Sequence, residues 1–194
     1  SKRGKTMKKI YIVTTFTGTL LSCLIRNISK TPYAHVSIAL NEYLRPMYSF
    51  GRLNPKTPIF AGFVEENINE GLYAIRTNTM CRVYSLMVTE RQYEKLKENI
   101  DNVSINRKQY VYDVKALVYL SVNKPRKKDY KYVCSHFVAD MLKRSEINIL
   151  DKEPHQVRPN DFYDLCDLEL EYEGLLSNYY EKDKVHNIGD VVKI

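Results

Sequence analysis

The segment from Tyr132 to Leu142 constrains the fold most, because it has the pattern of an amphipathic helix with a cysteine at its start. Its apolar residues fall on one helical face, at positions 134, 137, 138, 141 and 142. In the first turn of a helix, unpaired backbone N–H groups and the helix dipole stabilise a thiolate. Cys134 is therefore a candidate nucleophile. The alternative is a structural cysteine, since Cys134 also opens the apolar stripe and free cysteines are often buried.

A second feature lies far upstream, where Thr31–Leu40 has the pattern of a short buried strand that ends at the polar pair Asn41-Glu42. His35 stands near the start of this strand. A cysteine nucleophile needs a base that takes its proton and later protonates the leaving group, and imidazole titrates in the range for both steps. A Cys134–His35 pair is thus the catalytic hypothesis, and a half-buried structural histidine is the alternative.

The two motifs together resemble a known family. Tyr33-Ala34-His35-Val36-Ser37-Ile38-Ala39-Leu40, followed later by Tyr132-Val133-Cys134-Ser135-His136-Phe137-Val138, is similar to the circularly permuted branch of the NlpC-type papain-like cysteine hydrolases. That branch includes the YiiX-like bacterial proteins and, more distantly, the lecithin retinol acyltransferase group, whose Cys-Glu-His-Phe signature is similar to Cys134–Phe137. In the permuted branch the histidine strand precedes the cysteine helix, as it does here. The resemblance runs from about Ile10 to about Tyr180.

The resemblance also implies a third polar residue that orients the histidine, placed on the strand after the histidine strand. The matching segment is Pro46–Gly51, in which Ser49 has the strand parity to share a face with His35 in half of the possible registers. Family members commonly carry Glu, Gln or His there, and a serine hydroxyl stabilises an imidazolium less well than a carboxylate does. Asn41 and Tyr48 are rival candidates, and an ordinary strand serine is a further alternative.

The sequence gives weaker evidence for the residues that would contact the substrate or stabilise an oxyanion. The Cys134 backbone N–H at the helix start is one expected oxyanion donor, and Tyr33 or Tyr132 offers a phenol donor on either side of the pair. The basic segment that ends at Lys131 borders the expected cleft and could hold a substrate carboxylate or phosphate. The alternatives are packing for the two tyrosines and a solubilising loop for the basic segment.

The pattern of strands and helices in the sequence predicts an α+β fold with a mostly antiparallel sheet packed against helices. The resemblance implies a circularly permuted papain-like (NlpC-type) arrangement. We expect one catalytic domain at residues 9–180 with a basic tail at 1–8 and a C-terminal tail at 181–194, since 194 residues with 44% hydrophobic content suffice for one core. Strands are expected at 9–15, 34–40, 46–50, 63–67, 72–76, 81–89 and 168–172. Helices are expected at 19–29, 89–100, 110–122 (a strand being equally compatible there), from Cys134, and at 159–165.

The four cysteines are widely scattered, at positions 23, 81, 134 and 166, and show no metal-type spacing. We therefore expect no metal or other cofactor, and free thiols in a reducing, cytoplasmic compartment. The alternative is an exported lipoprotein acylated at Cys23, but threonines and a glycine interrupt the apolar run before that cysteine.

The net charge of +7 raises the competing hypothesis of a non-catalytic basic module that binds an anionic partner. The basic clusters lack interleaved aromatics and any nucleic-acid motif, so nucleic acid is not an expected partner, and no stable membrane insertion is expected. The sequence predicts a thiol hydrolase of the peptidase or amidase type, acting on a small peptide, amide or acyl substrate. An acyltransferase or lipid-ester hydrolase is the enzymatic alternative, and the sequence leaves the oligomeric state open.

Overall fold

The computed structural model describes residues 6–18, 32–54, 57–113, 115, 129–163 and 165–181. They form a mixed α+β structure with a mostly antiparallel sheet. The strands are β1 (Met7–Phe16), β2 (His35–Ala39), β3 (Met47–Asn54), β4 (Thr57–Glu66), β5 (Met80–Thr89), β6 (Val111–Tyr112), β7 (Lys131–Tyr132) and β8 (Glu169–Leu175). The helices are α1 (Gly71–Ile75), α2 (Glu90–Ile105) and α3 (Cys134–Arg144), with 3₁₀ turns at Arg107–Gln109, Pro154–Gln156, Pro159–Phe162 and Leu176–Glu181.

The main sheet has the strand order β4-β3-β2-β1-β5-β8, and all its neighbouring strands are antiparallel. Strand β1 lies inside the sheet and is buried on both faces from Ile10 to Thr15. Alternate residues of a strand point to opposite faces, so Ile10 and Ile12 join one apolar cluster while Tyr11 and Val13 join another. The sheet is thus covered on both sides. Strands β6 and β7 form a separate parallel pair.

Helices α2 and α3 cover the Ile10 face. Thr89 caps α2 through a capping box with Gln92, whose backbone N–H donates to the Thr89 hydroxyl. The apolar stripe of α3 packs into the same cluster, with Phe137 and Met141 fully buried. Burying an apolar side chain of this size stabilises the fold by about 1.5–3 kcal/mol, so the stripe fixes α3 against the sheet.

The other face is covered by α1 and the C-terminal 3₁₀ turn. Tyr73 of α1 and Tyr179 of the C-terminal turn both enter the cluster that contains Tyr11 and Val13. The Tyr179 hydroxyl donates to the backbone oxygen of Glu42 at 2.9 Å, so this buried phenol has its hydrogen bond.

Most predicted elements within the described residues are confirmed. These are the strands at 9–15, 34–40, 46–50, 63–67, 81–89 and 168–172, although several run longer than expected, and the helices that begin after Thr89 and at Cys134. The helix predicted at 159–165 is a 3₁₀ turn at Pro159–Phe162. The helix predicted at 19–29 and position 23 lie outside the described residues, and so do most of 110–122 and the basic positions 124–128.

One prediction is wrong. The strand expected at 72–76 is helix α1, because Gly71 takes a positive φ of 57° that redirects the chain, and the Arg76 N–H then closes a turn on the Leu72 oxygen. For 110–122 the sequence left helix and strand open: the described part contains strand β6, which pairs in parallel with β7, and a helical residue at position 115. Tyrosine and valine favour the strand at Val111–Tyr112.

Candidate active site

Cys134 is the first residue of α3, as the sequence predicts. Val133 precedes it in an extended conformation and makes no side-chain cap hydrogen bond, so the first-turn N–H groups are left to other acceptors. The Ser135 hydroxyl donates to the Val157 oxygen at 2.6 Å and ties this end of the helix to the next segment. Cys134 is a free thiol with 4% of its surface exposed.

His35 is the first residue of β2 and keeps about one fifth of its side chain exposed (20%). Its Nε2 lies 2.9 Å from Oε1 and 3.2 Å from Oε2 of Glu66, the last residue of β4. An imidazole nitrogen beside a carboxylate carries the proton and donates it, which fixes the tautomer of the ring.

The Cys134 thiol lies close enough to the His35 ring to raise the pKa of His35. The structure therefore brings together the two residues singled out by the sequence, separated by 99 positions (134 − 35), and adds the Glu66 carboxylate as the partner of the imidazole. A base near a cysteine, with a third group that orients the base, is the combination that activates a thiol.

Electrostatics favour charge on both ends of the His35–Glu66 pair. Burial is the largest single influence on His35 and disfavours imidazolium, but the Glu66 charge and hydrogen bonds with Cys134 and Glu66 outweigh it, so the pKa of His35 lies well above its ordinary 6.5. Burial likewise opposes ionisation of Glu66. The charge of His35 and hydrogen bonds from His35, Ser37 and Tyr73 overcome it and hold the pKa of Glu66 below its ordinary 4.5.

Ser49 does not occupy the orienting position that the sequence assigned to it. It is fully buried, and its hydroxyl donates to the Val36 backbone oxygen at 2.7 Å. Strand β3 pairs with β2 through Ile38–Tyr48, and one further step in this register brings Ser49 beside Ser37 rather than His35. The orienting group comes instead from Glu66, one strand further along the chain.

The two rivals of Ser49 also serve other roles. The Asn41 side-chain amide donates to the Arg45 backbone oxygen at 2.9 Å and holds the turn between β2 and β3. The Tyr48 ring stacks on Phe63, with ring centroids 6.3 Å apart. The polar group facing His35 Nε2 is therefore a carboxylate, which stabilises an imidazolium more strongly than a hydroxyl or an amide does.

Neither tyrosine proposed as an oxyanion donor directs its hydroxyl to Cys134. The Tyr33 hydroxyl donates to Glu173 at 3.3 Å, and burial followed by the Glu173 charge raises the pKa of Tyr33 to about 12. The Tyr132 hydroxyl donates to Asp140 at 2.5 Å, so both phenols are structural donors. Lys131 lies exposed on β7 next to the start of α3.

Tyr112 is a residue near the thiol that the sequence did not single out. Its backbone pairs with Tyr132, two residues before Cys134. Burial, then the charge of the neighbouring Cys134, raise the pKa of Tyr112 well above its ordinary range, and Arg52 acts in the opposite direction. The Tyr112 hydroxyl thus keeps its proton next to the thiol. The tyrosines and valine at Tyr110–Tyr112 were the sequence signal that could have placed Tyr112 on a strand.

A cavity of about 400 Å³ lies beside the orienting residue. Glu66, Tyr73 and Arg52 are among the residues that line it. Five of its twelve lining residues are charged, namely Arg52, Glu65, Glu66, Glu70 and Arg107. The cavity therefore meets the proposed catalytic group at Glu66, whereas His35 and Cys134 are not among the residues that line it.

Known protein families and curated proteins give no match to this sequence. The family resemblance in the two short motifs therefore stays a prediction. Within the described part of the chain, no group of three or more His, Cys, Asp or Glu residues is arranged to hold a metal ion. No helix among those residues is long and apolar enough to cross a membrane.

Proposed function

We propose that this protein is a thiol hydrolase that cleaves an amide or ester through Cys134, His35 and Glu66. The observation that carries the proposal is the His35 imidazole, which is hydrogen-bonded to Glu66 and lies close enough to Cys134 for the thiol to raise the pKa of His35. A purely structural cysteine requires no such pairing. The position of Cys134 at a helix start adds a helix dipole and unpaired N–H groups, which attract negative charge.

In the proposed reaction, His35 takes the Cys134 proton and the thiolate sulfur attacks the substrate carbonyl carbon. The carbonyl oxygen becomes an oxyanion that backbone N–H groups at the start of α3 stabilise, with the Tyr112 phenol as a candidate side-chain donor. Imidazolium then protonates the leaving amine or alcohol, which departs and leaves a thioester on Cys134. Water, deprotonated by His35, hydrolyses the thioester and restores the thiol. Glu66 stabilises the imidazolium in both steps.

The cavity beside Glu66 bears on the choice between a peptide or amide substrate and a lipid ester. Its lining carries guanidinium and carboxylate groups, and burying an acyl chain against them would cost their hydration. A polar amide substrate fits this lining better. We therefore favour amide hydrolysis over lipid-ester chemistry.

Covalent trapping tests the proposed function. The protein is mixed with p-nitrophenyl acetate, quenched in acid within seconds, digested and mapped by mass spectrometry. We expect an acetyl group on Cys134 that disappears on longer incubation, and none at that position in Cys134→Ala or His35→Ala. The exposed thiol of Cys166 serves as the internal reference. Acetylation of Cys166 alone, or equal labelling of Cys134 in His35→Ala, would refute the proposal.

A further inference from the structure

Two hydroxyl groups hold the Glu66 carboxylate in addition to its contact with His35. Ser37 donates to Oε2 at 2.6 Å, and Tyr73 donates to the same oxygen at 3.4 Å. The Tyr73 oxygen in turn lies 3.3 Å from that of Thr15. Ser37 and Thr15 are fully buried and Tyr73 is 6% exposed, so these bonds form away from bulk solvent.

The arrangement divides the two carboxylate oxygens between two tasks. The hydroxyl donors converge on Oε2, while the shorter contact of His35 is to Oε1. Hydroxyl groups that donate to a carboxylate stabilise its ionised form and restrict its rotation. His35 and Ser37 lie two positions apart on β2 and so point to the same face of the strand. One rigid strand thus presents both the imidazole and the main donor to Glu66.

We propose that Ser37 is a positioning residue for the His35–Glu66 pair, with Tyr73 in a supporting role. The Ser37 hydroxyl keeps Glu66 ionised and aimed at His35 when the pH falls. Glu66 then holds His35 as the partner of Cys134 over a wider pH range. The catalytic consequence of this role rests on the proposed function, whereas the effect on Glu66 itself does not.

The other groups that face Glu66 come from several elements. The His35 imidazole contacts Glu66 from β2, with Cys134 near that imidazole, and the Tyr73 phenol contacts Glu66 from α1. The adjoining cavity contributes the charged side chains of Arg52, Glu65, Glu70 and Arg107. Within the described residues, Ser37 makes the shortest hydrogen bond to Glu66, so its removal should have the largest effect among the hydroxyl donors.

Ser49 provides a matched control for Ser37. Both serines are fully buried in neighbouring strands of the same sheet, and both donate a side-chain hydrogen bond, but Ser49 donates to the Val36 backbone oxygen. Ser37→Ala and Ser49→Ala each remove one buried hydroxyl. Only the first removes a donor to Glu66.

The direct test follows the titration of the Glu66 carboxyl carbon by ¹³C NMR in wild type, Ser37→Ala, Ser37→Thr, Tyr73→Phe and Ser49→Ala. Ser37→Ala should move the titration midpoint of Glu66 upward by about one pH unit or more, as expected for losing a hydrogen bond to a charged group. Tyr73→Phe should move it less and Ser49→Ala not at all, and Ser37→Thr should restore it. Equal midpoints in Ser37→Ala and Ser49→Ala would overturn the proposal.

A second readout separates this proposal from the proposed function. The pH dependence of Cys134 alkylation by iodoacetamide should have its acidic limb at higher pH in Ser37→Ala than in Ser49→Ala. If His35→Ala leaves the alkylation rate unchanged, the proposed function fails. If His35→Ala slows alkylation while Ser37→Ala behaves like Ser49→Ala, only the positioning role fails. Should Ser37→Ala not fold, Tyr73→Phe carries the same test, and an unchanged Glu66 midpoint there contradicts the proposal.

Discussion

Glu66 faces His35 with both carboxylate oxygens, at 2.9 and 3.2 Å from the imidazole Nε2. This contact connects the end of β4 to the start of β2, two strands that do not pair with each other in the sheet. It supplies the charge that makes imidazolium the favoured state of the residue in contact with Cys134.

Replacing Glu66 with glutamine removes this charge and keeps the shape of the side chain. Without it, burial dominates and the pKa of His35 should fall below that of wild type. The alkylation rate of Cys134 near neutral pH should drop more than about tenfold, because the imidazolium that supports the thiolate is lost. NMR titration of the His35 ring and iodoacetamide kinetics measure the two effects. An unchanged His35 titration in Glu66→Gln would show that the Glu66 charge does not affect the pKa of His35.

The pair should also make stability depend on pH. The raised pKa of His35 contributes stability that is fully present below its unfolded value of about 6.5 and is lost as the pH rises through the folded pKa. The lowered pKa of Glu66 contributes stability that is present above about 4.5 and is lost as the pH falls through the folded pKa. The contribution of the pair should therefore be largest between about pH 4.5 and 6.5.

Urea unfolding of wild type and Glu66→Gln across pH 4–9 isolates this contribution, since groups elsewhere titrate in both proteins. The difference in unfolding free energy should peak in that window and decline on both sides. Parallel curves at all pH values would contradict the coupling of His35 and Glu66.

The sequence predicted the two elements that carry the nucleophile and the base because each has a clear local signal. The apolar spacing from Cys134 to Leu142 specifies a one-sided helix, and the buried run after His35 specifies a strand. Their proximity was expected from the chemistry of a nucleophile that needs a base and from the family resemblance, and not from local periodicity, which says nothing about residues with 98 others between them (134 − 35 − 1).

The third residue could not be found in this way, because its position depends on the register and twist of three strands. Nothing local distinguishes Glu66 from its neighbour Glu65, whose carboxylate accepts from Ser104 on α2. A slip of one residue reverses the face of every side chain on a strand. The sequence placed the orienting residue at Ser49, one strand before the one that carries Glu66, and assigned a hydroxyl where the structure has a carboxylate.

The relative labelling rates of the four cysteines test whether reactivity follows activation by His35 or solvent exposure. Among the described cysteines, Cys166 is exposed, whereas Cys81 and Cys134 are buried. Accessibility alone predicts that Cys166 reacts first. Activation by His35 predicts that Cys134 reacts first with a small electrophile near neutral pH. Competitive iodoacetamide labelling with peptide mapping decides between them. Faster labelling of Cys166, Cys81 or Cys23 would remove the basis for assigning Cys134 as the nucleophile.

Tyr132 should behave as a structural residue. Its hydroxyl donates to Asp140, which also pairs with Arg144 at 2.9 Å. Tyr132→Phe should lower the free energy of unfolding by about 1–2 kcal/mol, since one hydrogen bond to a charged group is lost. The acetylation rate of Cys134 should stay within about twofold of wild type, because the phenol lies outside the proposed chemistry. A large loss of acetylation with unchanged stability would instead restore Tyr132 as an oxyanion donor.

The most direct measurement of the central claim is the pH–rate profile of Cys134 alkylation in His35→Ala, with His136→Ala as the matched control. His136 lies two residues after Cys134 on the same helix, and its ring is tilted against that of Tyr132 at 4.6 Å between centroids. Each variant therefore removes one imidazole, and the Cys134 thiol raises the pKa of the one at His35. We expect a loss of roughly 100-fold near neutral pH for His35→Ala and a change of less than about twofold for His136→Ala. Equal profiles for wild type and His35→Ala would contradict the assignment of His35 as the base for Cys134.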